Sequence, residues 1–206
     1  MAEAGRVITG SAGGIRLLAP GEGTRPLSDK VKQSLFASLE AERDDPWGAP
    51  FLDLFAGSGA AGIEALSRGA PRAVLVEDDA GAARVIAENL RRTRLDGGHV
   101  LRRDAIGFLS AGSGAAGPGM GGPFGVVLID PPYARTELLT AALTLLGEAA
   151  LGWLRDDARV IAKHFWKDAP PAAAGRLRAV RDRRFGETAL TWVQPARATP
   201  ATEEAR

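Results

Sequence analysis

Short apolar runs alternate with longer amphipathic stretches over most of this chain. Residues 51–55, 73–77, 100–102, 125–129 and 159–165 are apolar runs of strand length. Between them, 60–68, 79–93, 105–110 and 137–149 read as helices; in 79–93 the inward positions are Val85, Ile86 and Leu90. Strands alternating with helices predict a parallel sheet wrapped on both faces. The two ends break the pattern. Residues 6–9 and 15–19 read as short strands around a turn with glycines at 10, 13 and 14. Residues 28–41 read as a helix that buries Val31, Leu35, Phe36 and Leu39, with Ser28 as N-cap and Asp29 in its first turn. Its other face, with Lys30 and Lys32, reads either as a solvated face or as a contact surface. Near the other end, 177–184 and 188–193 predict a hairpin through Phe185-Gly186-Glu187, and 195–206 a frayed polar tail. The stretch 111–123, rich in Gly, Ala and Ser, predicts a flexible surface insertion. The expected division is a head (1–45), an α/β domain (46–194) and the tail (195–206).

Composition adds mainly exclusions. The chain has 206 residues, 45% hydrophobic and 25% charged, which suits a soluble domain with one sizeable core. A net charge of +1 announces no nucleic-acid partner, although arginine, suited to phosphate contacts, greatly outnumbers lysine. The absence of cysteine excludes disulfides, thiolate catalysis and Cys-based zinc sites, and fits a reducing cytoplasm. His99 and His164 are too far apart for a metal motif, so no metal is expected. No apolar run is long enough to span a membrane, and the start lacks a signal peptide's apolar core.

Two stretches carry candidate chemistry. The first is Leu52-Asp53-Leu54-Phe55-Ala56-Gly57-Ser58-Gly59-Ala60-Ala61-Gly62, a G-x-G-x-x-G turn between a predicted strand and helix. Glu77 ends the next strand about 20 residues after Gly57, as in nucleotide sites where an acid holds ribose hydroxyls. Asp53 precedes the loop. A carboxylate there repels a pyrophosphate but attracts an ammonium or sulfonium ligand, which points to S-adenosylmethionine. Asp104, after the third strand, reads as an acceptor for an adenine amino group, as a helix N-cap, or as both. The second stretch is Asp130-Pro131-Pro132-Tyr133, at the end of the fourth strand. Proline lacks an N–H and keeps its predecessor extended, so this strand end is rich in acceptors. Acceptors suit a planar NH2 group. Tyr133 offers a face for stacking, its alternative being a packed loop aromatic.

Together, Asp53 with Ala56-Gly57-Ser58-Gly59, then Glu77, then Asp130-Pro131-Pro132-Tyr133, resemble a Rossmann-like class I methyltransferase acting on exocyclic amino groups. Arg6-Val7-Ile8, Gly10, Gly14, Leu17, Thr24-Arg25-Pro26 and Asp29-Lys30-Val31-Lys32-Gln33-Ser34-Leu35-Phe36 are similar to the RsmD-type family, over about residues 6–193. Leu27 stands where many relatives have Thr, and Lys163-His164 where they often carry an acidic or small polar pair. The resemblance implies a seven-stranded, mostly parallel sheet with an antiparallel last strand. It also implies methylation of a guanine 2-amino group in 16S ribosomal RNA, within a small-subunit particle or assembly intermediate, by a cytoplasmic monomer.

On that basis Asp53, Ala56, Gly57, Ser58 and Gly59 are expected to hold the methionine part of the donor. Glu77 with Asp78 is expected at the ribose, and Asp104 with Ala105 at the adenine. Asp130 and the Pro131 carbonyl are expected to accept the two amine hydrogens while Tyr133 stacks on the base. Arg6, Arg16, Arg25, Lys30 and Lys32 are expected to face RNA phosphates. A DNA adenine methylase shares the Asp-Pro-Pro-Tyr motif but normally needs a target-recognition region for which this chain has little room. A dehydrogenase has no use for that motif, and a non-catalytic RNA-binding module has no use for the glycine loop and its acids.

Overall fold

The computed structural model describes residues 3–21, 27–42, 45 and 47–196. The head comprises β1 (Glu3–Arg6) paired antiparallel with β2 (Arg16–Leu18), then helix α1 (Asp29–Glu42). The alternating part runs β3 (Phe51–Leu54), α2 (Ala60–Ser67), β4 (Ala73–Glu77), α3 (Ala80–Thr93), β5 (Gly98–Arg102), α4 (Ala105–Ser110), β6 (Phe124–Ile129) and α5 (Thr136–Gly147). It closes with β7 (Leu154–Phe165), the two-residue β8 (Ala173–Ala174), β9 (Leu177–Phe185) and β10 (Thr188–Pro195).

One sheet runs in the order β5-β4-β3-β6-β7-β10-β9-β8. β3 to β7 are parallel, and β10 is antiparallel to both its neighbours. These are the expected seven strands, with β8 added at the outer edge. Strand order reverses at β3, whose neighbours β4 and β6 are reached by connections running in opposite directions. Ligands in such sheets gather outside the carboxyl ends at that point.

Alternating side chains send the two faces of the sheet into two cores. Leu52, Val74, Val127 and Val160 pack against α4 and α5. Phe51, Leu75, Leu128 and Trp192 pack against α1, α2 and α3. Helix α1 adds Val31, Leu35, Phe36 and Leu39 to the second core, each worth about 1.5–3 kcal/mol by burial. Ser28 caps this helix, its Oγ accepting from Val31 N at 3.4 Å. Among the described residues no helix is long and apolar enough to cross a membrane.

Four expectations need correction. The head strands sit earlier than 6–9 and later than 15, because Ile8 and Thr9 donate not to a strand but to Glu64, at 2.7 and 3.1 Å. Gly10 is the hinge of that turn: its φ is +91°, and a Cβ there would fall 1.8 Å from the Ser67 carbonyl oxygen. Lys32 is not on a solvated face. It is 0% exposed, donates to the Arg6 carbonyl and lies 3.9 Å from Glu64. β7 starts at Leu154 rather than 159, since Arg155, Asp156 and Asp157 face solvent and hide the strand's first half. The 111–123 stretch is tied to the body, with a helical turn at Ser113–Ala115 and Arg72 donating to the Gly121 carbonyl at 2.7 Å. The 195–206 tail lies outside the described residues beyond 196.

Candidate active site

The backbone turns left-handed three times between β3 and α2: φ is +63° at Phe55, +56° at Gly57 and +76° at Gly59. Glycine tolerates this conformation, whereas a bulky Phe55 there is strained. A Cβ on Gly57 would meet nothing within 4 Å, so that position opens onto free space beside the loop. On Gly59 it would press on Ile86 at 2.9 Å, and on Gly62 on Leu75 at 2.7 Å. The first glycine leaves room for a ligand; the others bring helix and strand together.

Three side chains hold the loop. Glu77 Oε2 accepts from Gly57 N at 2.8 Å, and Asp53 Oδ2 from Gly62 N at 2.8 Å. Asn89 Nδ2 donates to the Ser58 carbonyl at 2.9 Å and to the Leu18 carbonyl at 3.0 Å, while its Oδ1 accepts from Leu18 N at 2.8 Å. Asn89 therefore ties the head to the glycine loop. The chain's local pattern did not single it out.

A cleft of about 490 Å³ opens beside this loop. Asp53, Ala56, Gly57, Ser58, Glu77, Asp78, Asp104, Asp130, Pro131 and Tyr133 all line it, along with Phe55, Leu27, Arg135 and Lys163. The expected strand-end acids thus meet in one space. Asp104 caps α4, accepting from Gly107 N at 2.6 Å, and still borders the cleft. Two residues sit elsewhere. Ala105 is 3% exposed and packs into the core with Phe108 and Leu109. Gly59 lies behind the loop against Ile86 and Leu75.

Burial governs the acids. It pushes the Asp53 carboxyl up to about 8, assisted by the neighbouring charges of Asp130 and Glu77 and opposed by the Gly62 N–H. Glu77 is also raised, by burial first, although the Gly57 and Asp79 N–H groups favour its charged form.

At the end of β6, Asp130 N donates to the Leu54 carbonyl at 3.3 Å, which fixes the motif against β3. Asp130 Oδ1 accepts from Lys163 Nζ at 2.5 Å. Burial raises the Asp130 carboxyl, and the Lys163 charge only partly offsets this. Burial is the largest influence on Lys163 and depresses it, but the charge and hydrogen bond of Asp130, with Tyr133, together outweigh burial and keep the ammonium protonated. Lys163 Nζ also lies 4.9 Å from the centroid of the Tyr133 ring. The Tyr133 hydroxyl meets Thr188 Oγ1 at 2.7 Å, so the ring is held at both ends. His164 turns to the other face of β7, where Nε2 meets Thr191 Oγ1 at 2.9 Å. Lys163, noted in the sequence only as a departure from the usual residue pair, is the main site residue to which no role was assigned. Its one signal was its place near the carboxyl end of a parallel strand.

The residues expected at RNA phosphates divide. Arg6, Arg16 and Lys30 are exposed, with Arg16 paired to Glu3 at 2.5 Å and Arg6 near Asp29 at 3.5 Å. Lys32 is buried and has no surface to offer. Arg25 lies outside the described residues. Among the described residues, no group of three or more Asp, Glu or His side chains is arranged to hold a metal ion.

A sheet of this order, with a glycine turn after its first central strand and acids at the neighbouring strand ends, defines the Rossmann-like methyltransferase class. A family model described as "Conserved hypothetical protein 95" matches residues 5–194. YlbH of Bacillus subtilis strain 168, provisionally named an rRNA methyltransferase, is 38% identical over 187 residues, 90% of this chain and 96% of that protein. The ribosomal RNA small subunit methyltransferase D of Escherichia coli K12 is 33% identical over 190 residues, covering 92% and 89% of the two chains. The solved structure of Escherichia coli yhhF, provisionally assigned as a methyltransferase, superposes with a TM-score of 0.78 at 31% identity, covering 94% of this chain and 98% of that one. The chain belongs to the conserved hypothetical protein 95 family, the RsmD family.

Proposed function

We propose that the protein transfers a methyl group from S-adenosylmethionine to the exocyclic 2-amino group of a guanine in 16S ribosomal RNA. The substrate is RNA within a small-subunit particle or assembly intermediate, and the site of action is the cytoplasm. The observation that carries this reading is the placement of the acceptor-rich Asp130-Pro131-Pro132-Tyr133 end across one cleft from the glycine loop and Glu77. The names of the relatives support ribosomal RNA as the substrate.

The donor set suits S-adenosylmethionine. The cleft volume lies within the range for ligands of that size. Asp53 and Asp130 suit a cationic ligand, Glu77 has lone pairs left for ribose hydroxyls, and Gly57 leaves space beside the loop. When bound, S-adenosylmethionine supplies an electrophilic methyl group on a sulfonium. The protein's part is mostly positioning, because a guanine amine is a weak nucleophile whose lone pair is delocalised into the ring. Lys163 occupies Asp130 Oδ1, leaving Oδ2 and the Pro131 carbonyl for the two amine hydrogens. That arrangement turns the nitrogen lone pair toward the methyl group. Asp130, less acidic than a surface aspartate, is placed to take the proton that the methylated amine releases. The Tyr133 ring stacks on the base. A paired guanine cannot reach this depth, so the nucleotide enters unpaired or flipped.

Glu77→Ala should weaken donor binding by roughly tenfold or more, through lost ribose contacts and a loosened Gly57 turn. Calorimetry checks this, and unchanged affinity removes Glu77 from the ribose. Donor affinity should also depend on pH. A cation beside Asp53 favours its ionised form, so binding below its raised value of about 8 must expel a proton. Affinity therefore climbs as pH rises toward 8, beyond which the donor's own α-amino group loses its charge. Calorimetry in buffers of different ionisation heat reads the released proton. No release at neutral pH would separate Asp53 from the ammonium. Transfer of label to small-subunit RNA, with DNA as control, tests the substrate; preference for DNA would favour the adenine-methylase reading.

A further inference from the structure

The cleft leaves unexplained a cationic and aromatic rim beside it. β9 ends in Arg183, Arg184 and Phe185, and both arginines are exposed. The end of β7 lies close by and runs on into Trp166 and Lys167, also exposed. The β9–β10 turn fastens the two together. Thr188 pairs with both Phe165 and Phe185, and Trp166 N donates to the Glu187 carbonyl at 3.0 Å.

The rings in this rim carry cations on their faces. The Arg184 guanidinium lies 3.6 Å from the Trp166 ring centroid, with Lys167 Nζ at 5.2 Å. The Arg183 guanidinium lies 5.2 Å from the Phe185 centroid. The rings also lead back to the catalytic loop: Trp166 to Phe165 is 6.3 Å and Phe165 to Tyr133 is 6.4 Å between centroids. Trp166 stays 37% exposed although indoles of this chain such as Trp153 and Trp192 are about 1% exposed. A half-open indole beside a stacked guanidinium gives a flat surface next to a phosphate-binding group. Single-stranded nucleic acid is held by that combination.

We infer that the rim formed by the end of β7 and the β9–β10 turn is a docking platform for single-stranded RNA flanking the target nucleotide. Trp166 stacks on a base, and Arg183 and Arg184 take phosphates. The inference rests on the RNA reading of the cleft. It also answers a need of that reading, because a nucleotide drawn into the cleft leaves its neighbours unstacked.

The test uses the full-length protein with Trp166→Ala and with Arg183→Glu/Arg184→Glu; none of the three residues lines the cleft. RNA affinity is measured against a small-subunit rRNA fragment methylated by the wild type, over a salt series, with donor affinity by calorimetry alongside. Trp166→Ala should weaken RNA binding by roughly tenfold or more. The arginine variant should weaken it most at low salt and flatten the log–log salt slope by about 1.4, for two phosphate contacts on a single strand. Donor affinity should stay at the wild-type value in both. RNA affinity and slope unchanged in both variants overturns the platform, as does a parallel loss of donor affinity, which would mark a structural role. If the wild type neither binds nor methylates rRNA, the substrate reading itself has failed and the platform falls with it.

Discussion

Asp130→Ala should lower methyl transfer by roughly 10²–10⁴-fold while donor affinity stays within a few fold. In the proposed mechanism Asp130 both accepts an amine hydrogen and takes the departing proton, and the Pro131 carbonyl alone cannot aim the lone pair. The variant has a second consequence. Lys163 pairs with Asp130 at 2.5 Å, and its side chain is only 9% exposed. Removing the carboxylate leaves a buried ammonium without its partner, which costs about 3–5 kcal/mol in comparable pairs. Adding Lys163→Met removes that orphaned charge, so the double variant should regain stability and remain inactive. Single-turnover transfer of labelled methyl, together with urea unfolding, separates the two effects. Turnover near wild type in Asp130→Ala would sink the proposed role.

Glu64→Ala should destabilise the protein by about 3–5 kcal/mol. Glu64 is 0% exposed, and its two oxygens receive Ile8 N, Thr9 N and Arg68 Nε at 2.7, 3.1 and 2.8 Å. Lys32 Nζ, equally buried, lies 3.9 Å away. Burial already lowers the Lys32 pKa, against the raising effect of Glu64. Without Glu64 it falls further. An amine whose folded value lies below its unfolded value binds fewer protons when folded, so stability rises with pH between those two values. The deficit of Glu64→Ala should therefore shrink from pH 7 toward about 9.5. Urea midpoints at both pH values check this; a loss under about 1 kcal/mol at pH 7 would place Glu64 outside the framework of the head.

These two residues also mark where sequence reasoning works and where it stops. β4 and α4 lie over 73–77 and 105–110 as expected, because strong local signals bound them: an acid ends the strand and Asp104 caps the helix. The strand-end positions of Asp53, Glu77 and Asp130 follow from the same alternation, so their meeting in one cleft was legible. Lys32 was not. Its charge placed it with Lys30, although positions 32, 35, 36 and 39 share one helical face; Glu64, in a different helix, and the Arg6 carbonyl make the interior ammonium tolerable. The head strands shifted for the same reason, since their acceptor is 55 or more residues away. Ala105 was misplaced because a motif gives a position along the chain and says nothing of which way a small side chain turns. Lys163 was noted only as a departure from the family pattern and given no role, because a lysine ending an apolar run looks like a strand simply reaching solvent.

β10, the last strand in sequence, lies inside the sheet between β7 and β9. Neither of those strands can complete its pairing until residues 188–195 have arrived. Until then, two open edges are available to other chains, a hazard for any nascent polypeptide. The latch between Tyr133 and Thr188 waits on the same event, joining positions 55 residues apart. During synthesis, then, the chain first exists as an unfinished sheet. Synthesis must run through β10 before β7, β9 and the Tyr133 ring held by Thr188 settle into place.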